Sequence, residues 1–339
     1  MSSYAELKGR LHESGVFRPQ LAYYSWQAAL SAVLLVLPFA LLLLSPPLWV
    51  VLLDAGLLAV ALTRLAFILH DAGHRQIFAR PKHNDAVMLL MGFLTGSSAS
   101  WWFSSHNDHH NHPNNLDLDP STMLPILAFS EQQAKARSGV LAFVIRFQAY
   151  YFFPLLLLEA LGARLASVMF LFAGRARSPR LEALGILAHF VVYGALLFTL
   201  LPVGQALLFI AVHQALFGLY MGSVFAPNHK GMLVTSKASR LDFLHRQVLT
   251  SRNIKPNPVV DFWLGGLNYQ IEHHLFPRIP RNKLREARAI IKDFCIKNSV
   301  SYHETSLRQS YAEVLTYLHR VGAPLRRPSS VLDEVTPTV

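Results

Sequence analysis

Apolar residues in this chain gather into long unbroken runs, unlike the spaced stripes of soluble helices or strands. A helix that crosses a bilayer needs about 20 mostly apolar residues. Four windows meet that length: Ser25 to Leu44, Leu48 to Leu69, Leu184 to Leu201 and Gln205 to Ala226. Only Ser45-Pro46-Pro47 separates the first two, and only Pro202-Val203-Gly204 the last two. Turns that short predict a helical hairpin for each pair. Two further apolar stretches are interrupted. Val140 to Leu161 carries Arg146, Gln148, Tyr150, Tyr151 and Glu159, and Met88 to Phe103 is short and rich in Gly and Ser. A charge at the bilayer centre is costly, so both stretches read as in-plane or half-buried segments.

Beyond the spans, Leu284, Ala287, Ile291, Phe294 and Cys295 recur at helical spacing within 281–297. Leu307, Tyr311, Val314 and Leu318 do so within 304–319. These are amphipathic helices expected to pack over a domain outside the membrane, with Cys295 in their core. The expected fold is an all-α integral membrane protein. It has four transmembrane helices in two hairpins, in-plane helices, and a cytoplasmic helical metal-binding cap. Residues 1–24 form a cytoplasmic N-terminal segment, 25–323 the membrane domain, and 324–339 a disordered tail.

Composition supports that reading. Hydrophobic residues make up 52% of the 339 and charged residues 15%, against about 25% charged in ordinary globular domains. Disorder is excluded for most of the chain. One cysteine excludes an intramolecular disulfide framework, a cysteine-based zinc ribbon and a cysteine-held iron–sulfur cluster.

The net charge of +11 would suit nucleic acid, but its distribution points to topology. Lys8, Arg10 and Arg18 precede the first span; Arg75, Arg80, Lys82, Lys135 and Arg137 follow the second; Arg175, Arg177 and Arg180 precede the third. Residues 230–339 hold 17 Lys and Arg against 9 Asp and Glu, an excess of 8. Both hairpin turns hold none. The positive-inside rule then puts both termini and both long loops in the cytoplasm, with the basic flanks facing anionic lipid headgroups. A crossing by 140–161 would put the two halves on opposite sides. No removable signal peptide is evident.

The chemistry lies in histidines. Nine of the 16 fall in four short places on the cytoplasmic side. His70-Asp71-Ala72-Gly73-His74 ends the second span. His106-Asn107-Asp108-His109-His110, with His112 beyond it, follows the 88–103 segment. His229 lies just past the fourth span, and Gln270-Ile271-Glu272-His273-His274 comes later still. Spacings of three and four put imidazoles on one helix face, where two can reach one metal. One such pair alone reads more readily as interfacial histidine; three clusters on one side do not. Eight imidazoles exceed one tetrahedral zinc, and two first-row metals with open positions fit better. Imidazole alone does not separate iron from zinc.

HDAGH, HNDHH and QIEHH, in this order around two hairpins, resemble the three histidine boxes of the membrane fatty acid desaturase family. Trp101-Trp102 before the second box, Pro113, Asn114, Asp117 and Asp119 after it, and Gly266 to Pro277 with Ile279-Pro280-Arg281 around the third extend the likeness over roughly residues 25 to 303. Glutamine opening the third box is similar to the front-end and acyl-lipid subgroup.

The resemblance implies a di-iron centre held by His70, His74, His106, His109, His110, His273 and His274, with His229 as the further histidine. Gln270 is expected to coordinate weakly, hold a water or only hydrogen-bond. His112 is assigned an outer or helix-end role, with direct ligation as the alternative. Asp71, Asp108, Asp117, Asp119 and Glu272, with Asn228 and Asn268 through their carbonyl oxygens, are candidates to orient ligating imidazoles.

The implied reaction is O2-dependent desaturation of a long-chain acyl-CoA or acyl-lipid in an apolar tunnel, with 88–103 and 140–161 as walls and Trp101 and Trp102 at its mouth. Some relatives fuse a cytochrome b5 domain with a His-Pro-Gly-Gly motif, which is not found in this sequence. Electrons are expected from a separate ferredoxin, rubredoxin or cytochrome b5 and its reductase. The basic stretch Arg278, Arg281, Lys283, Arg285, Arg288 and Lys292 is a docking candidate for an acidic donor or an acyl-CoA phosphate, and equally a lipid-facing flank. The membrane is the inner or plasma membrane in a bacterium and the endoplasmic reticulum in a eukaryote; no nucleic acid is expected.

Three alternatives remain at this stage. A hydroxylase, ketolase or conjugase could use the same scaffold. A membrane electron carrier could hold haem between His189 and His213. A transporter could be built on Asp54 and Arg64. His213 and His229 stand about 24 Å apart on a straight helix, too far to share one metal.

Overall fold

The computed structural model describes residues 3–326, and nearly all regular structure within them is helical. In chain order the helices are α1 (Ser3–Glu13), α2 (Leu21–Leu42), α3 (Leu48–Gly73), α4 (Pro81–Thr95), α5 (Ala99–Asn111), α6 (Glu131–Lys135), α7 (Gly139–Ile145) and α8 (Gln148–Leu156). They continue with α9 (Glu159–Phe172), α10 (Pro179–Leu200), α11 (Val203–His229), α12 (Phe243–Leu249), α13 (Pro258–Trp263), α14 (Gln270–Leu275), α15 (Leu284–Lys297) and α16 (Leu307–Val321). A two-residue parallel pairing of Asn253–Ile254 with Glu304–Thr305 ties the last third of the chain together.

Four helices are long and apolar enough to cross a membrane: α2, α3, α10 and α11. They match the four windows, with shifted ends. The first starts at Leu21, four residues earlier than expected, and the third at Pro179, where proline suits a first helical position. The second runs on to Gly73, and the fourth includes His229 as its last residue instead of stopping short of it. Metal-box residues therefore sit on the spans' own final turns.

The two expected hairpins differ. α2 packs along α3, but α10 leans against α4 and touches α11 little, while α11 packs along α3. The gap between α10 and α11 admits α9, a helix over 159–172 that the sequence pattern did not announce because Arg164 and Ser167 interrupt it. Within their most apolar stretches α3 is 67% and α11 50% buried, against 17% for α2 and for α10. The first two are the inner pair and the others present aliphatic side chains to lipid.

Both interrupted stretches are broken helices. α4 and α5 meet at 109° across residues 96–98, and α7 and α8 at 87° across Arg146 and Phe147. Counting each bent pair as one span would raise the number of candidate spans to six.

Beyond the spans, α12, α14 and α15 share one core, with Leu284, Ala287, Ile291, Phe294 and Cys295 all buried, while α16 lies against α8 and α11. The N-terminal segment is more than a flank. Leu7, Leu11 and Val16 are buried in that same core, Tyr4 stacks on Phe276 with 5.2 Å between rings, and Arg10 pairs with Asp293 at 2.8 Å. Of the expected tail 324–339, Pro324 to Arg326 lie at the end of the described residues, where Arg326 donates to the Arg146 carbonyl at 2.7 Å. The remainder lies outside the described residues.

Candidate metal centre

Four helices deliver histidines to one place, three of them through their last turns. His70 and His74 end α3, His106, His109 and His110 occupy the second half of α5, His229 ends α11, and His273 and His274 sit near the end of α14. Helix C-termini carry partial negative charge, so the convergence favours a cation before any side chain is counted.

Two groups of ring nitrogens result, each with all members within 4.8 Å of one another: His70, His74, His106 and His273, and then His109, His229 and His274. His110 lies between them. Its Nε2 is 3.1 Å from His106 Nε2, and its ring stacks on His274 at 4.1 Å. The helical spacing therefore works as expected for His70 and His74, which share a group, while His106 and His109 divide between the two.

The outer nitrogens fix the tautomers. His109 Nδ1 faces Asp119 Oδ2 at 2.9 Å, His229 Nδ1 the Thr250 carbonyl at 3.0 Å, and His274 Nδ1 the Gln247 Oε1 at 3.0 Å. Each partner can only accept there, so each Nδ1 holds the proton and three Nε2 lone pairs turn toward one another. His109 and His229 Nε2 are 3.2 Å apart, and His274 Nε2 is buried with no hydrogen-bond partner. Lone pairs facing at that distance repel unless a cation lies between them. In the other group His70 Nδ1 faces Asp71 Oδ1 at 3.1 Å, and the Nε2 pairs His70–His273 and His74–His106 are 3.1 and 2.9 Å apart. Imidazoles bound at about 2.0–2.1 Å and at right angles stand about 2.9 Å apart. These side chains fit metal ions.

Burial first, and neighbouring imidazoles second, push His106, His110, His273 and His274 well below the ordinary histidine pKa. The rings are neutral and available as ligands. Burial would raise the Asp119 carboxyl, but His109 and Lys230 outweigh it and hold it below the usual carboxylate range. A charged acceptor thus stands behind His109.

Among the other candidates, Asp71 and Asp119 face imidazoles; the rest do not. Asp108 is exposed, and Asp117 accepts from the Lys237 backbone. Glu272 accepts from Asn253 at 2.6 Å and Tyr302 at 2.7 Å; burial pushes it up to about 7 against those hydrogen bonds. Asn268 donates to Asp261, and Asn228 to Val224 and Gln270. Adjacency in sequence misled here: Asp108, Asn228 and Glu272 lie on helices but have other partners or face solvent, and Asp117 and Asn268 lie in turns.

Gln270 has its Nε2 2.9 Å from His229 Nε2, at the edge of the three-histidine group. His112 caps the end of α5, outside both groups. Gln247 and Thr250 were missed, because nothing in a glutamine and a threonine some 20 residues from their partners signals such a role. Trp102 makes a contact that the sequence did not predict. It stacks on His106 at 4.4 Å, in space that exists because residue 73 is glycine, where a Cβ would come within 2.3 Å of the indole.

The basic stretch 278–292 is largely self-neutralised. Arg281 pairs with Asp71, Lys283 with Glu286, Arg285 with Asp261, and Arg288 and Lys292 with Glu304. The alternative sites fare worse than the clusters. The Tyr193 ring lies 6.0 Å from His189 and 5.5 Å from His213, with its hydroxyl 2.8 Å from His213 Nδ1. Asp54 has no hydrogen-bond partner, and Arg64 is bonded to Gln27, so the two form no pair.

The family model described as fatty acid desaturase matches residues 46–306. The acyl-lipid (9-3)-desaturase of Physcomitrium patens is 28% identical over 334 residues, covering 95% of this chain and 63% of that protein. The Delta(6)-fatty-acid desaturase of Caenorhabditis elegans is 29% identical over 340 residues, covering 95% and 75%. Delta(8)-fatty-acid desaturase 2 of Arabidopsis thaliana is 29% identical over 273 residues, covering 76% and 61%. The chain thus spans under two thirds of the moss and Arabidopsis relatives.

Proposed function

This chain belongs to the fatty acid desaturase family, and from that premise we propose that it is a multi-pass membrane enzyme that inserts a double bond into a long-chain acyl group. The observation that carries the proposal is the pair of imidazole groups with inward lone pairs. The balanced reaction is –CH2–CH2– plus O2, two electrons and two protons giving –CH=CH– and two waters. His70, His74, His106 and His273 would hold one iron and His109, His229 and His274 the other, with His110 between them. Two iron ions there would supply the binding and reduction of O2 and the abstraction of hydrogen from unactivated methylenes.

The protein's own contribution is positioning. Asp71, Asp119, Gln247 and the Thr250 carbonyl turn the ring nitrogens inward. Gln270 completes the polar edge beside His229, and His112 closes the end of α5. The buried α3–α11 pair excludes water below the site, as selective attack on one methylene requires. The carrier is CoA or a glycerolipid, and the electrons come from a separate ferredoxin, rubredoxin or cytochrome b5. The basic flanks support an orientation in which the site and both termini face the cytoplasm.

Expression in a host of known lipid composition, followed by fatty-acid analysis that locates new double bonds and the lipid class carrying them, tests the proposal. A product two mass units lighter supports it. A product gaining oxygen, or no new unsaturation from iron-loaded protein with a working donor, overturns it.

A further inference from the structure

The α4–α5 break lies in an apolar surrounding, where the last carbonyls of one helix and the first N–H groups of the next have no partners within their own helices. Backbone of this kind persists at membrane depth only where protein satisfies it. Gly96 makes the turn, with φ +69°, and a Cβ there would stand 2.5 Å from the His189 ring. The Arg164 guanidinium of α9 donates to the Thr95 carbonyl at 3.2 Å and to Gln214 of α11, while Phe190 and Phe217 lie 5.4 and 5.7 Å from it. Across the break, Ser98 Oγ accepts from Trp101 N at 3.0 Å, and Ser98 N donates to Ser167 Oγ at 3.0 Å. Glu182 of α10 accepts from Ser98 Oγ, from Ser100 Oγ and, at 3.1 Å, from Ser100 N.

Both charged residues are only 6% exposed. Their signs suit the helix ends they meet: a cation at the C-terminus of α4 and an anion at the N-terminus of α5. Two buried charges, each costly by itself in this setting, are placed where the broken backbone has use for them. α5 is 13 residues long, about 20 Å, and presents His106 within two turns of Ser100. Whatever fixes its first turn fixes the direction in which its three imidazoles point.

We infer that Glu182 and Arg164 are positioning residues that clamp the broken α4–α5 segment and so set the register in which α5 presents His106, His109 and His110. The inference rests on the metal-centre reading for its consequence, not for the clamp itself. Glu182→Ala, Glu182→Gln, Arg164→Met and Arg164→Lys are compared with Leu197→Ala, a fully buried position on α10 away from the break. Two measurements on purified full-length protein suffice: backbone amide exchange along 98–105, and the ligand-field absorption of protein loaded with cobalt(II) alone.

Glu182→Ala and Arg164→Met are expected to speed exchange in 98–105 about tenfold and to alter the cobalt spectrum. Glu182→Gln and Arg164→Lys should restore part of both. Leu197→Ala should lower the melting temperature and change neither. Unchanged exchange in Glu182→Ala and Arg164→Met, or the same change in Leu197→Ala, overturns the clamp. Should wild-type protein take up no cobalt, the metal centre fails while the exchange measurement still judges the clamp.

Discussion

The two imidazole groups are held in different ways. In the three-histidine group every ring has its own outer acceptor, and these come from two places: Asp119 after α5, and Gln247 and the Thr250 carbonyl at the end of α12. In the four-histidine group only His70 is so held, by Asp71, and Asp71 in turn by Arg281 at 2.7 Å. The first arrangement spreads orientation over several residues, whereas the second concentrates it in one buried ion pair. The groups should therefore respond unequally to loss of an outer residue, and four experiments break or sharpen that contrast.

The largest effect is expected from the rings themselves. His273→Ala should abolish new unsaturation and remove one of two metal equivalents, measured by elemental analysis; retention of both would sink the assignment. Next comes Arg281→Met, which leaves the Asp71 carboxylate buried without its cation, a change that costs about 3–5 kcal/mol where it has been measured. Metal should be lost from the four-histidine group alone, with the melting temperature falling. Asp71→Asn should weaken that metal within the range of about 10–100-fold seen for outer partners. Gln247→Ala should weaken the other metal by the lower end of that range, since Asp119 and Thr250 remain; competitive chelator titration compares the two. Equal effects would show that spreading the acceptors confers no tolerance.

Acidification should act on both groups alike and so has the smallest effect on the contrast. Burial raises the Glu304 carboxyl, but Arg288 and Lys292 outweigh it and hold it below its ordinary value of about 4.5. A carboxyl lowered on folding stabilises fully above the unfolded value, and that stability is lost as pH falls through the folded value. The unfolding midpoint should therefore drop as pH falls below about 4.5, and Arg288→Met should flatten the drop.

The histidine clusters were legible because their information is local: histidines three and four apart lie on one side of a helix, although His106 and His109 then divide between the two groups. The spans were legible for the same reason, apart from ends set by Pro179 and by the continuation of α11 to His229. What escaped was non-local. Gln247 reaches His274 across 27 residues, and Glu182 reaches Ser98 across 84; neither residue type advertises the task. The splay of α10 from α11 escaped because a short turn fixes connection, not packing. Arg164 hid α9 by interrupting an apolar run, and the same interruption turned out to satisfy the broken helix beside it.

The docking of α1 has a consequence in time. Tyr4 donates to the Leu275 carbonyl across 271 positions, and Arg10 meets Asp293 across 283; His70 lies 203 positions from His273. Synthesis proceeds from the N-terminus at a finite pace, so Tyr4 and Arg10 wait until Leu275 and Asp293 have been made before finding their partners. Neither imidazole group can close while the ribosome is still adding α14. Metal held by either group would therefore be taken up only after α14 has been made, so loading would follow synthesis of every helix from α2 to α11.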